Sequence, residues 1–170
     1  MRYPTFWTFE LDARTTHMSL VSTSESSGPI FATPDTVDEV MASFVRTRAT
    51  PADVAGMLDL AHKLMRTSVV HYEFAGLAAE ESLQALERAL RLRLGAGDKP
   101  TFEKLIDLGV AQGLLSRGDA ELMNAGRGLR NFFAHPSTAP ALPLVTATGL
   151  LRTSFRLIGS LFPGEVSSSS

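Results

Sequence analysis

Three side chains in the stretch RNFFAHP have the chemistry needed to act on a phosphate ester: Arg130, Asn131 and His135. An arginine guanidinium holds a phosphate through two parallel N–H···O bonds, and a histidine exchanges a proton near neutral pH. Asparagine can orient either group. For RNA, the simplest reaction is internal transesterification, in which a base takes the 2′-hydroxyl proton and that oxygen attacks the adjacent phosphorus. The arginine then stabilises the charge that develops on the phosphate.

The position of the helix end decides whether these side chains converge. Asn131 and His135 are four residues apart and share a face of a continuous helix, whereas Arg130 and His135 lie about 140° apart around it. Pro136 disfavours helical dihedrals at His135. We therefore expect the helix to end there and the imidazole to turn toward Arg130. The alternative is structural: His135 interacts with the helix dipole, and Arg130 is a solvated surface residue.

Two further arginines are candidates for substrate contact. Arg127 lies one turn before Arg130, and Arg156 lies in the last predicted helix. For each of them the alternative is a solvated surface charge. The chain has no cysteine and no Glu-x-x-His sequence, which is the spacing of helix-bundle metal sites. We therefore expect chemistry without a metal or a cofactor.

The composition is that of a folded domain with no broad attraction to polyanions. The 170 residues are 44% hydrophobic and 20% charged, which is ordinary for a globular protein. Sixteen basic and eighteen acidic residues give a net charge of −2, so phosphate binding has to be local. The absence of cysteine excludes disulfides and thiol chemistry. No secretory signal and no spanning apolar run is visible, and we expect a cytoplasmic protein that does not associate with membranes.

Residues 1–34 differ in pattern from the rest of the chain. Trp7, Phe9 and Leu11 alternate with polar residues as in a strand, and Met18 and Leu20 align on a possible returning strand. The serine-rich stretch that follows is typical of a linker. We predict a β-hairpin extension followed by a linker.

Residues 35–163 carry helical periodicity. Asp35 and Thr50 are predicted caps of the first two helices, a break is expected near residues 67–70, and Gly95 ends the third helix. Further helices are predicted to start at Thr101, at Ser116 and near Leu142. The apolar face of the third helix is predicted to bury Phe74, Leu77, Ala78, Leu83, Leu86, Leu90 and Leu94. The predicted fold is mainly α: an up-down bundle of four core helices over about 70–163, one or two additional helices, and a disordered tail over 164–170.

The stretch RNFFAHP, near the end of the third helix of this four-helix unit, resembles the signature of the HEPN superfamily. That signature is an arginine, four to six residues and a histidine, commonly with a polar residue after the arginine. The similarity covers roughly residues 70–163, and residues 1–50 show none of it. It implies that Arg130 and His135 are catalytic and that Asn131 supports them.

The resemblance also implies an activity and partners. Many HEPN proteins are metal-independent endoribonucleases that serve as toxins of toxin–antitoxin systems or in phage defence. They typically form homodimers in which two motifs build one cleft. The expected partners are then RNA, a second copy of the chain and, for a toxin, an antitoxin protein. Other members of the superfamily are non-catalytic modules, so the alternative is a domain that binds a partner protein or a nucleotide.

Overall fold

The computed structural model describes residues 10–21, 28–133 and 142–166, and nearly all the regular secondary structure in this part of the chain is helical. After a 3₁₀ turn at Thr15–His17, six α-helices follow: α1 (Pro34–Ala42), α2 (Ala52–Thr67), α3 (Phe74–Arg93), α4 (Phe102–Ala111), α5 (Arg117–Phe133) and α6 (Leu144–Leu161). Strand pairing in these ranges is limited to two isolated antiparallel bridges, Ser19–Phe31 and Thr47–Val166. The prediction of a mainly α protein is confirmed. None of the described helices is long and apolar enough to cross a bilayer.

The four longest helices, α2, α3, α5 and α6, form a helical bundle. Asp53 near the start of α2 pairs with Arg88 near the end of α3, with 2.7 Å between the carboxylate and Nε, so α2 and α3 are antiparallel. Ser82 of α3 and Ser154 of α6 approach to 3.3 Å between their hydroxyl oxygens. Tyr72 and Leu142, each two residues before its helix, are also joined by a hydrogen bond, so α3 and α6 run parallel.

Helix α5 runs opposite to α6. Gly126 lies beside Leu150, while Asp119, seven residues earlier, pairs with Arg156, six residues later in α6. The long helices therefore alternate in direction along the chain, and the short α4 belongs to the connection between α3 and α5. This alternation places the end of α5, the start of α6 and the start of α3 at the same end of the bundle.

The hydrophobic core begins earlier in the sequence than the predicted bundle core at residue 70. Helix α2 contributes side chains with no exposed surface at Val54, Leu58, Ala61 and Met65. Their spacing of three and four residues puts them on one face, and that face packs against α3. Helix α1 adds Val37 and Met41 to the same core. The six helices therefore share one core, because α2 is a full member of the bundle.

Several predicted helix boundaries are confirmed, because local hydrogen bonds determine them. Helix α2 ends at Thr67, within the expected break, and Gly95 after α3 adopts a φ of 60°, a conformation that favours glycine. The Thr101 hydroxyl accepts the backbone N–H of Lys104 at 3.3 Å. The caps of α1 and α2 differ from prediction. The side chain of Thr33, not that of Asp35, caps α1, and α2 has Pro51 at its N-cap without a side-chain bond.

Leu77 is the exposed leucine of the predicted apolar face of α3, and Phe74 and Leu94 of the same face are only partly buried. Leu77 is 49% exposed, whereas Leu83, Leu86 and Leu90 are buried. The exposed position lies at the edge of the apolar face, where no described helix covers it. Leu77 fits the helical periodicity of the apolar face as well as the buried leucines do, so the sequence pattern alone does not distinguish it from them.

The predicted hairpin lies partly outside the described residues, because these begin at residue 10. The predicted returning strand begins with the 3₁₀ turn, and the residues after this turn pair with residues 30–32, which follow the linker. The backbone N–H of Leu20 donates to the carbonyl of Ile30 at 2.8 Å, and the N–H of Ala32 donates to the carbonyl of Met18 at 3.3 Å. Where the structure describes residues 10–21, they lie against the helices, since Leu20 is buried in the common core.

Two glycines of α5 provide a test of how closely the helices approach. A Cβ atom at Gly126 would lie 3.0 Å from Leu150 Cδ2 and 3.2 Å from Leu83 Cδ2, whereas one at Gly128 would meet no described atom within 4 Å. Alanine has the higher helix propensity, by about 0.5–1 kcal/mol. We expect Gly128→Ala to raise the free energy of unfolding by this amount, and Gly126→Ala to gain less or to lose stability. Urea denaturation of both variants measures the difference, and equal gains would contradict the close approach.

Candidate functional site

Two of the three predicted catalytic residues, Arg130 and Asn131, belong to the C-terminal end of α5. This helix continues to Phe133, so the backbones of Arg130 and Asn131 lie in its last turn, whereas His135 and Pro136 lie outside the described residues. By helix register, position 131 continues the row formed by Asn124 and Arg127, which are seven and four residues before it. Position 130 follows Gly126 on the neighbouring row. The helical part of the motif therefore lies at the end of the bundle where α5 ends and where α3 and α6 start.

The row that leads to position 131 contains two buried polar atoms for which the described residues supply no hydrogen-bond partner. They are Asn124 Oδ1 and Arg127 Nε. Arg127 is one of the two predicted substrate contacts, and its side chain is 33% exposed. Its Nη2 lies 3.5 Å from Glu103 Oε2 of α4, a long ion pair that balances the charge and leaves Nε unused. Arg127 therefore lies one turn from the motif with part of its donor capacity free. Asn124 was missed by sequence reasoning, although it lies seven residues before Asn131.

Arg156, the second predicted substrate contact, lies in another part of the bundle. Its Nη2 is 2.7 Å from Asp119 Oδ1 in the first turn of α5. The hydroxyl of Ser116, and in smaller measure Arg156, hold the pKa of Asp119 below its ordinary value. Asp119 precedes Arg130 by eleven residues, which is roughly 16 Å along a helix axis. Because α5 and α6 are antiparallel, the structure does not bring Arg156 to the motif, and we leave it out of the proposed site.

Tyr72, in the turn between α2 and α3, connects three segments at the motif end of the bundle. Its side chain is only 2% exposed. The hydroxyl donates a hydrogen bond to the carbonyl of Leu142, two residues before α6, and the backbone N–H donates to Asp12 Oδ2 at 3.1 Å. Burial raises the pKa of Tyr72, and the nearby Arg14 opposes this shift only in part. The phenol therefore stays protonated, as a donor to Leu142 must be.

A cluster of charges holds the N-terminal segment against Tyr72. Arg14 Nη2 lies 2.6 Å from Asp12 Oδ2, and Arg14 Nη1 lies 2.9 Å from Glu73 Oε1. The guanidinium carbon is 5.2 Å from the centre of the Tyr72 ring, within cation–π range. Thr15 is buried, and its hydroxyl donates to the carbonyl of Asp12 at 2.7 Å and lies 3.2 Å from the carbonyl of Val69. The sequence predicted only that Asp12, Arg14 and Thr15 belong to an N-terminal extension. The short spacing between Asp12 and Arg14 was the one local signal of their ion pair.

The Asp12 carboxylate should make stability depend on acid pH. Hydrogen bonds from Arg14, and then from the Tyr72 backbone, hold the pKa of Asp12 well below its ordinary value. Its contribution is therefore complete above the unfolded pKa of about 3.9 and is lost as the pH falls below that value, since the unfolded chain takes up the proton first. We expect Asp12→Asn to lower the free energy of unfolding at pH 7 and to flatten its decline between pH 4 and pH 2.5.

Urea denaturation across that pH range measures both effects. Asp107→Asn is the matched control, because Asp107 is exposed on α4 and the described structure gives it no ion pair. A parallel pH dependence in the parent and in Asp12→Asn would contradict the role of this carboxylate.

A groove of about 300 Å³ lies along the C-terminal half of α3. Its lining residues are Met57, Gln84, Glu87, Arg88, Arg91 and Asp98. Arg88 follows Tyr72 by sixteen residues, or roughly 24 Å along a helix, so the groove is at the other end of the bundle from the motif. Within the described residues no cluster of three or more histidine, aspartate or glutamate side chains could hold a metal ion.

Comparison with known proteins adds no relative. No family model, no curated protein and no solved structure matches this chain. Any functional assignment therefore depends on the motif and on the geometry of the bundle end that carries it.

Proposed function

We propose that this chain is a metal-independent endoribonuclease of the HEPN type. The observation that supports it is the placement of Arg130 and Asn131 in the last described turn of α5, at the end of the bundle where α3 and α6 start, with His135 and Pro136 following in the sequence. Pro136 disfavours helical dihedrals at His135, so in this proposal the imidazole leaves the helix and turns toward Arg130. This arrangement is compatible with both groups reaching one phosphate.

Each residue has one step in the proposed reaction. His135 takes the proton of the ribose 2′-hydroxyl, and the oxygen attacks the adjacent phosphorus to form a 2′,3′-cyclic phosphate. The bond from phosphorus to the 5′-oxygen breaks, and this oxygen takes a proton from solvent water and leaves as the 5′-hydroxyl of the next nucleotide. Arg130 stabilises the pentacovalent phosphorane, and Asn131 orients the histidine or the phosphate. Arg127, one turn before Arg130 and 33% exposed, offers a second contact through the exposed part of its guanidinium.

The proposal includes a homodimer and a cellular setting. One arginine and one histidine are a sparse active site, and a two-fold axis would bring two copies of the motif into one cleft. The setting that we propose is the cytoplasm, as a toxin or a phage-defence component, with an antitoxin as a possible protein partner. The net charge of −2 means that RNA is held by this local set of groups and not by a general positive surface.

The direct test is RNA cleavage by the purified protein in the presence of EDTA. We expect cleavage products that end in a 2′,3′-cyclic phosphate and a 5′-hydroxyl, which mass spectrometry identifies. Cleavage that requires an added divalent metal, or products with a 5′-phosphate, would contradict the mechanism.

A second candidate is a non-catalytic HEPN-like module that binds a partner protein or a nucleotide. Two ion pairs favour it, because Arg127 and Arg156, both predicted to contact substrate, are each paired with a carboxylate. This candidate predicts no RNA cleavage in any buffer, together with a stable complex with a defined partner. Cleavage that is lost in Arg130→Ala would exclude it.

A further inference from the structure

We propose that the outward side of α3 is a self-complementary contact surface, on which a second copy of this chain docks in the antiparallel direction. The surface, which we call the α3 face, consists of Leu77, Glu81, Gln84, Arg88 and Leu92. The inference depends on these described residues alone, so it does not require the proposed ribonuclease activity. It assigns a partner and an orientation to the side of the central helix that stays at least partly exposed.

The five residues of the α3 face share one side of the helix. At 3.6 residues per turn they fall within an arc of roughly 80°. Leu77 is 49% exposed, Leu92 is 38% exposed, and the side chain of Arg88 is 44% exposed. The two residues between them, Glu81 and Gln84, are half-buried. A helix that packs along this side therefore meets an apolar contact at each end and polar groups in the middle.

The order of these residues identifies the partner. Leu77 and Leu92 lie at equal distances in the sequence from the midpoint between residues 84 and 85. Glu81 and Arg88 are placed symmetrically about the same midpoint. When two copies of α3 pack antiparallel about a two-fold axis at this point, each Leu77 meets the partner's Leu92, and each Glu81 meets the partner's Arg88. Parallel packing brings equal charges together, which is unfavourable.

Both charges of the α3 face can take a partner. The described part of the chain gives Glu81 no ion pair. Arg88 donates its Nε–H to Asp53 at 2.7 Å, and a guanidinium has four further N–H donors. The neighbouring Arg91 is different, because one of its Nη groups already donates to Glu87 at 2.8 Å and its side chain is only 12% exposed. The charge pairing across the two-fold axis therefore depends on Glu81 and Arg88.

The contact is small and therefore weak. It extends over roughly 22 Å of one helix in each copy, and exposed ion pairs stabilise little. Interfaces below about 1,200 Å² are typical of transient association, so we expect the α3 face to associate only above about 100 µM protein. Antiparallel packing puts the two motif ends at opposite ends of the pair. This contact is therefore separate from the proposed shared cleft and adds to it.

Charge reversal in sedimentation equilibrium at low salt tests the pairing. Above 100 µM the weight-average mass of the parent should approach about twice its value at micromolar concentration. Glu81→Arg should abolish this rise, because it puts a cation opposite the partner's Arg88. Arg88→Glu should abolish it too, in a chain that also carries Asp53→Asn so that the new carboxylate has no anion beside it. An equimolar mixture of the two variant chains should regain the rise, since opposite charges then meet at both positions.

The control for charge is Glu121→Arg, which makes the same change at an exposed position of α5 and should behave like the parent. Circular dichroism establishes that each variant is folded. A parent without the rise, a rise that persists in Glu81→Arg, or a mixture that does not recover it would overturn the proposal.

Cross-linking locates the contact without any charge reversal. The chain has no cysteine, so Gln84→Cys introduces a single thiol beside the two-fold axis, where it faces its own copy. A short bismaleimide should convert this variant into a covalent dimer above 100 µM, and Glu81→Arg in the same chain should prevent it. Gln112→Cys, exposed after α4, is the control and should stay unlinked. Equal yields from the two cysteine variants, or no dimer from Gln84→Cys, would mean that this side of α3 meets solvent or another protein, and the proposal would be wrong.

Discussion

Arg130→Ala should reduce RNA cleavage at least about a hundredfold, and it is the most direct functional test of this protein. Removal of one preorganised donor to a developing negative charge costs about 10²–10³ in rate. The effect should appear mainly in kcat, because the guanidinium acts on the charge of the transition state more than on the ground-state phosphate. His135→Ala should lower the cleavage rate by a factor of about 10²–10⁴ through loss of the general base. The remaining rate should no longer change with pH near neutrality.

The control for the arginine is Arg93→Ala. Arg93 is exposed at the last residue of α3, at the opposite end of the bundle, so the substitution removes the same charge without touching the motif. We expect parental cleavage from it. Arg130→Ala protein that is folded by circular dichroism and cleaves as fast as Arg93→Ala would exclude the proposed chemistry.

The proposed composite cleft adds a requirement on assembly. Sedimentation of the parent at micromolar concentration should give a dimer, because each chain supplies a single motif. A protein that is monomeric at this concentration and still cleaves RNA would retain the chemistry but contradict the shared cleft.

Leu90→Ala should produce the largest loss of stability among single core substitutions of α3. Leu90 lies on the central helix of the bundle and has no exposed surface. Its Cδ2 is 3.5 Å from the point where a Cβ atom at Gly109 of α4 would lie. Truncation of a buried leucine costs about 2–5 kcal/mol. A domain of this size has about 5–15 kcal/mol in total, so the variant should unfold at a clearly lower urea concentration with an unchanged m-value.

Leu77→Ala is the matched control, with the same substitution on the same helix. Since Leu77 is 49% exposed in the described structure, we expect a cost of at most about 1 kcal/mol. A loss as large as that of Leu90→Ala would mean that this leucine is covered in solution, for example by a second copy of the chain. The dependence of this stability loss on protein concentration would distinguish a dimer contact from an intramolecular one.

The sequence alone was sufficient for most helix boundaries. Helix α2 ends where a threonine and two valines lower helix propensity, and the Ser116–Asp119 pair begins α5 through two bonds of 3.1 and 3.2 Å between side chain and backbone. Glu87 and Arg91, one turn apart, form the expected ion pair at 2.8 Å. These features depend on residues three or four positions apart, so they form in any packing of the helices.

The candidate site was predictable only in part. The residue types of RNFFAHP identify a possible phosphate site, because its chemistry belongs to the side chains themselves. The assignment of Arg156 to that site was not supported, since its location depends on the antiparallel packing of α5 and α6 and on the charge of Asp119. Arg127 lies near the motif because it precedes Arg130 within the same helix.

What the sequence by itself determined is the local order: which segments are helical, where most of them start and stop, and which residues have the chemistry for phosphate transfer. Only the tertiary structure decided that Leu77 is exposed, that α2 belongs to the core, and that Tyr72 binds Leu142 and Asp12, which are 70 and 60 residues away. The physical reason is range. Helix propensity and capping act within a turn, whereas burial and long-range hydrogen bonds depend on how all the helices pack at once.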